Sequence, residues 1–149
     1  MRQLGMAVCA TVALLFSPAF TFKIGNSVAS GDFQFKSAAF VFRTEGCADP
    51  AKPEISATAE GLVKGARKSL DLKVATTSKP NIYAVPQTWP TEGDWVVNLK
   101  GTCGNESAGA IVPFGPRGFI RESTKIFSRP ATNAEIDASL KALSQGGKK

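Results

Sequence analysis

Two cysteines, Cys47 and Cys103, and four cations, Arg117, Arg121, Lys125 and Arg129, are the residues whose types and spacing could do chemistry in this chain. An even cysteine pair in a small exported domain reads as a structural disulfide. Bridging two positions so far apart in the sequence stabilises a fold by roughly 4 kcal/mol in the chain-entropy picture. A redox-active thiol needs a Cys-x-x-Cys pair or a helix N-terminus to lower its pKa, and neither surrounds these two. The cations recur at every fourth residue, which on a strand puts them on one side, as a solvated face or as an anion-contact surface. Phe119 and Phe127 fall on that same side, so a bulge or a strand break is the alternative that would separate charge from ring.

The remaining inventory excludes more than it suggests. The chain has no histidine, which removes Ser-His-Asp and Cys-His nucleophiles. Ser37, Ser69, Ser78 and Ser123 lie in strand or loop contexts without a recognisable Ser-Lys motif. Glu92 and Asp94 flank Gly93 and read as solvated turn acids rather than as a glycosidase pair. Gly115-Pro116-Arg117-Gly118 lacks the spacing and the following helix of a phosphate loop, and reads as a hairpin connection. Zinc and copper sites draw on His, Cys, Met and carboxylates. With Met1 and Met6 at the very start of the chain and both later cysteines paired, no metal and no cofactor is expected. Glu45, Asp49, Glu54, Glu92 and Asp94 are scattered without calcium-loop spacing. Asn105-Glu106-Ser107 matches the N-glycosylation acceptor, which matters only in a eukaryotic host.

The elements that must carry these residues begin after an export signal. Arg2, an apolar run from Leu4 to Phe16 and then Ser17-Pro18 have the order of a positive n-region, an apolar core and a small-residue site. That core is about 13 residues, shorter than the roughly 20 that span a bilayer. Cleavage is expected before Phe20, after Ser17-Pro18-Ala19, or before Ser30, after Ser27-Val28-Ala29. An uncleaved anchor reaching Phe22 is the competing reading. A lipoprotein is disfavoured, because Cys9 follows Met6-Ala7-Val8 rather than a Leu-small-small triplet. The expected compartment is the periplasm or the cell exterior.

About 120 to 130 residues then remain, which suits one domain with one core. The formal charge of the 149-residue chain is +6, spread along its length. It favours weak contact with anionic surfaces, while no basic stretch interleaved with aromatics points to nucleic acid.

Period-two alternation dominates after the leader. Phe33 to Lys36, Ala38 to Arg43 and Glu54 to Ala59 alternate, and Gly61 to Lys68 supplies a turn. Leu70, Leu72 and Val74 then share a face, Ile82 to Val85 is a short strand ended by Pro86, and Trp95, Val97 and Leu99 lie opposite Val96, Asn98 and Lys100. Gly109 to Phe114 and Phe119 to Phe127 supply one or two more. Six or seven short strands predict an all-β, antiparallel, immunoglobulin-like sandwich over residues 31–129. One C-terminal helix is expected over 130–145, because Thr132-Asn133-Ala134-Glu135 is a capping box followed by Ile136, Leu140 and Leu143 at helical spacing. It covers a sheet edge or a barrel end, or else binds a partner, and 146–149 reads as a disordered tail. Trp89 is either a core plug at one end of the sandwich or an exposed binding aromatic.

Ile82-Tyr83, Trp89-Pro90 and the run from Glu92 to Leu99 resemble the aromatic hairpin of exported immunoglobulin-like domains, the YtkA-like and FixH-like bacterial modules in particular. That resemblance spans about 20 residues and implies a seven-stranded sandwich outside the inner membrane, with assembly roles around respiration or copper in some members. The chain departs from those modules in lacking a clear retained membrane helix and the His and Met of copper handling, so the fold is carried over and the function is not. The expectation is an exported, non-catalytic β-sandwich that binds or scaffolds. Its partner would be an unidentified protein or an anionic surface, without nucleic acid or soft metal, and with a membrane only if the signal is retained. The alternative is a periplasmic assembly factor or an enzyme built on carboxylate or Ser-Lys chemistry.

Overall fold

Strand pairing in a computed structural model organises the chain into two antiparallel sheets stacked face to face, with a helix on the outside of the larger one. The structure describes residues 19–25, 38–48 and 52–146. One sheet holds β1 (Thr21–Gly25), β2 (Phe40–Glu45), β5 (Ala75–Thr76) and β6 (Ile82–Val85), in the order β1-β2-β6-β5. The other holds β3 (Glu54–Val63), β4 (Ala66–Leu72), β7 (Asp94–Cys103), β8 (Glu106–Gly115) and β10 (Lys125–Phe127), in the order β10-β8-β7-β3-β4. The short β9 (Gly118–Phe119) also pairs with β8.

The all-β sandwich is therefore as the alternation predicts, but the described residues form ten strands rather than six or seven. The extra ones are brief segments, such as β5 and β9, too short to show alternation. It also starts earlier than residue 31, since β1 pairs along its whole length with β2, from Thr21↔Glu45 to Gly25↔Val41. The expected strand at Phe33 to Lys36, residues 1–18 of the expected leader and residues 147–149 of the expected tail lie outside the described residues, while Gly146, expected to open the tail, is the last residue of the C-terminal helix.

Two of the sequence boundaries move for a physical reason. Gly61 lies inside β3, not in a turn, because the indole of its cross-strand partner Trp95 occupies the space of a side chain: a Cβ there would come within 2.6 Å of the ring. The reversal falls instead at Lys64-Gly65, where both residues have positive φ (51° and 77°), the backbone that a tight two-residue hairpin requires.

The inner faces are filled by Phe20, Phe22, Phe40 and Phe42 from the four-stranded side, against Ala57, Ala59, Val97, Leu99, Ala108, Ala110 and Val112 from the six-stranded side. Small residues thus oppose large rings. The rings meet edge to face, Phe20 on Phe22 at 5.7 Å and Phe22 on Phe42 at 5.5 Å, the geometry that the aromatic quadrupole favours. Each such fully buried ring stabilises the fold by about 1.5–3 kcal/mol relative to exposure.

Helix α1 (Asn133–Gly146) does not close an edge or an end. It lies on the outer face of the six-stranded sheet, where Ile136 and Leu140 pack on Val96 and Ile111, with Leu62, Phe127 and Leu143 around them. This explains why β7 is buried on both faces from Trp95 to Leu99. The capping box forms as predicted: the Glu135 amide donates to the Thr132 hydroxyl at 3.2 Å, and the Thr132 amide donates to the Glu135 carboxylate at 3.0 Å. Arg67 on β4 then fastens the helix from the side, donating to Asp137 at 2.9 Å and to Glu60 at 2.8 Å. Burial works against the charge of Arg67, but the bonds to these two carboxylates outweigh it and raise its pKa.

Candidate functional site

Pro86 ends β6, and the connection that follows must run back to the start of β7 across one end of the sandwich. Trp89, midway along it, turns inward and is only 5% exposed. Its ring meets Phe114 edge to face at 4.9 Å, so Trp89 is the plug rather than the free aromatic. Trp95, one strand away, donates its indole N–H to the carbonyl of Glu92 at 2.8 Å, which pins the Glu92–Asp94 turn beside it.

Above these rings lies a groove of about 910 Å³. Its floor is Trp89, Trp95, Pro113 and Phe114. One wall is the last turns of α1, presenting Ser139, Ala142 and Leu143, and the other is Ile120 with Glu122 and Ser123 of the 3-10 turn. Lys125, Glu122 and Asp94 supply charges of both signs among its lining residues. An apolar floor with a few polar groups holds and orients a bound group.

The predicted residues distribute as follows. Cys47 and Cys103 form the expected disulfide, across a sequence separation of 56, with Cα atoms 5.8 Å apart. It joins the end of β2 to the end of β7 and thereby ties one sheet to the other. The four cations do not share a strand. Arg117 is in the β8–β9 turn, Arg121 in the 3-10 turn, Lys125 on β10, and Arg129 between β10 and α1.

The break in the chain at Arg121–Ser123 is what separates them, as the alternation with Phe119 and Phe127 required. Arg129 is committed to the helix start, donating to Glu135 at 2.7 and 3.1 Å while lying over the Phe127 ring at 4.9 Å. That bond, helped by the Thr132 amide, holds the Glu135 carboxyl down to about 2. Arg121 lies over Phe119 at 5.8 Å and lines a separate, shallower cleft of about 340 Å³ with Lys23, Thr21 and Thr124. Only Lys125 of the four reaches the large groove.

Gly115 and Gly118 close the β8–β9 hairpin, as the sequence indicates. Glu92 is an exposed turn acid 3.7 Å from Lys64, and Asp94 begins β7 at the groove. Among the described residues no three His, Cys, Asp or Glu side chains gather as metal ligands. Asn105 is exposed in the β7–β8 turn.

Nothing in the sequence brought Phe114, Ile120 and Leu143 together with Trp89 around one groove. Leu143 was visible as part of the helical stripe, but nothing local says that this end of the stripe overhangs the sandwich end. Compared with family models, curated proteins and solved structures, the chain matches none.

Proposed function

We propose that this chain is an exported, non-catalytic β-sandwich of the periplasm or cell exterior that binds a partner protein in the groove between Trp89 and the end of α1. The observation that carries this is the groove itself, large, floored by aromatic and proline side chains, and charged with both signs among its lining residues. Such a surface suits an extended protein segment that inserts apolar side chains, and suits an anionic surface poorly, because Glu122 and Asp94 stand among the same lining residues as Lys125. Export is supported by the leader-like start of the chain and by the Cys47–Cys103 disulfide, which fits an oxidising compartment. Among the described residues no helix is long and apolar enough to cross a membrane.

The test is affinity capture of the exported protein at native level, in parallel with an Ala142→Glu variant. Ala142 is exposed and lines the groove from the last turns of α1, so the variant places a charge in the groove without touching the packed face of the helix. A partner recovered with the native chain and lost with the variant, at unchanged melting temperature, is the expected result. A partner retained by the variant, or no reproducible partner at all, overturns the reading.

A further inference from the structure

We propose that the chain is matured by hydrolysis of the Ala19–Phe20 peptide bond, and that the Phe20 α-ammonium so created is received by the carboxylate of Glu106. The proposal rests on the export reading above and chooses between the two small-residue sites that the sequence offers.

Cutting after Ala29 would remove β1, and with it both Phe20 and Phe22, which are 2% and 1% exposed in the centre of the core. It would strip the edge of the four-stranded sheet from β2 and leave the ring of Phe42 without its contact to Phe22. Gly101 on β7 records the same dependence from the opposite sheet. A Cβ there would come within 2.7 Å of the Phe22 ring and 3.1 Å of the Phe20 ring, so the strand interior carries glycine where these two rings press on it. The segment from Phe20 to Gly25 is thus a working part of the domain, and the Ala29 site cannot be used without dismantling it.

Cutting after Ala19 leaves every described strand in place, β1 included. Ala19 is exposed and Phe20 is buried, so the boundary between surface and core falls on the scissile bond itself. Ser17 and Ala19 supply the two small residues that an export-associated signal peptidase selects. In the hydrolysis a water oxygen bonds to the Ala19 carbonyl carbon, the C–N bond breaks, and the Phe20 nitrogen leaves with protons as an ammonium group.

That nitrogen already donates to Glu106 Oε2 at 3.3 Å. Among the described residues no lysine or arginine pairs with Glu106, which stands at the first position of β8 opposite Cys103. Cleavage therefore converts a neutral amide contact into a charge-assisted one at a carboxylate with no other cation, and fastens the new chain end beside the disulfide.

The experiment is N-terminal sequencing and intact mass of protein exported from the full chain with its own leader. A chain beginning Phe-Thr-Phe-Lys is expected. A chain beginning at Ser30 overturns this proposal while leaving export standing. A full-length chain retained in the cell overturns both. Glu106→Gln in the same full chain keeps an acceptor but removes the charge. It should still be cut at Ala19, with a melting temperature lower by about 2–5 °C. An unchanged melting temperature overturns the pairing with Glu106.

Discussion

Gly101 and Phe22 meet across the two sheets so closely that the strand has no room for a side chain: a Cβ on Gly101 would lie 2.7 Å from the ring edge. The contact couples β7, the central strand of the larger sheet, to β1 at the edge of the smaller one. Gly101→Ala is therefore expected to destabilise the fold by about 1–3 kcal/mol, since overpacking forces rings off their rotamers. Urea unfolding of the exported protein measures it, and a midpoint equal to that of the native chain would show that the rings can retreat.

The disulfide gives a prediction with an internal control. Cys47→Ser and Cys103→Ser each open the same bridge, so each should lower stability by about 4 kcal/mol in the chain-entropy picture, and the double variant by little more. Markedly unequal single effects under non-reducing conditions would mean that one cysteine does work outside the bridge.

Glu135 makes helix attachment sensitive to acid. Its carboxyl is held down to about 2 by Arg129 first and by the Thr132 amide second, against an unfolded value near 4.3. A carboxylate with a depressed folded pKa contributes stability that is complete above the unfolded value and is lost as pH falls through the folded one. The melting-temperature difference between the native chain and Glu135→Gln should thus be constant from pH 7 to about pH 5, and should shrink between there and pH 2. A difference that does not change over that range would remove the ion pair from the account of the helix start.

Trp89 carries structural weight as well as lining the groove. Being 5% exposed and set edge-on to Phe114, it should cost about 3–5 kcal/mol of stability when replaced by alanine. Lys125→Ala, on a side chain exposed to solvent, should leave thermal stability within about 0.5 kcal/mol. Calorimetry on both variants separates floor from rim, and a Trp89→Ala protein as stable as the native one would make Trp89 an ornament of the surface after all.

Much of this molecule was legible in one dimension. The alternation of Trp95, Val97 and Leu99 against Val96 and Asn98 marks a strand because side chains alternate across a sheet with period two. The capping box at Thr132 and Glu135 marks a helix start because both partners sit within one turn. The Cys47–Cys103 pairing follows from parity once export is read. All three depend on neighbours in sequence or on counting, and each appears in the structure.

What the chain alone left open is what depends on distance through space. Gly61 reads as the start of a turn until Trp95 is placed over it, and nothing local marks Gly101 as the place where Phe22 presses on β7. The helix stripe of Ile136, Leu140 and Leu143 needs a cover, but only sheet order decides that the outer face of β7 and β8 supplies it. Four evenly spaced cations suggest one surface, until the 3-10 turn at Arg121–Ser123 sends them apart. The groove beside Trp89 arises where a loop, a strand end and a helix end converge from distant parts of the chain. Local pattern determined the elements of this sandwich; packing between elements, which has no period in the sequence, determined its site.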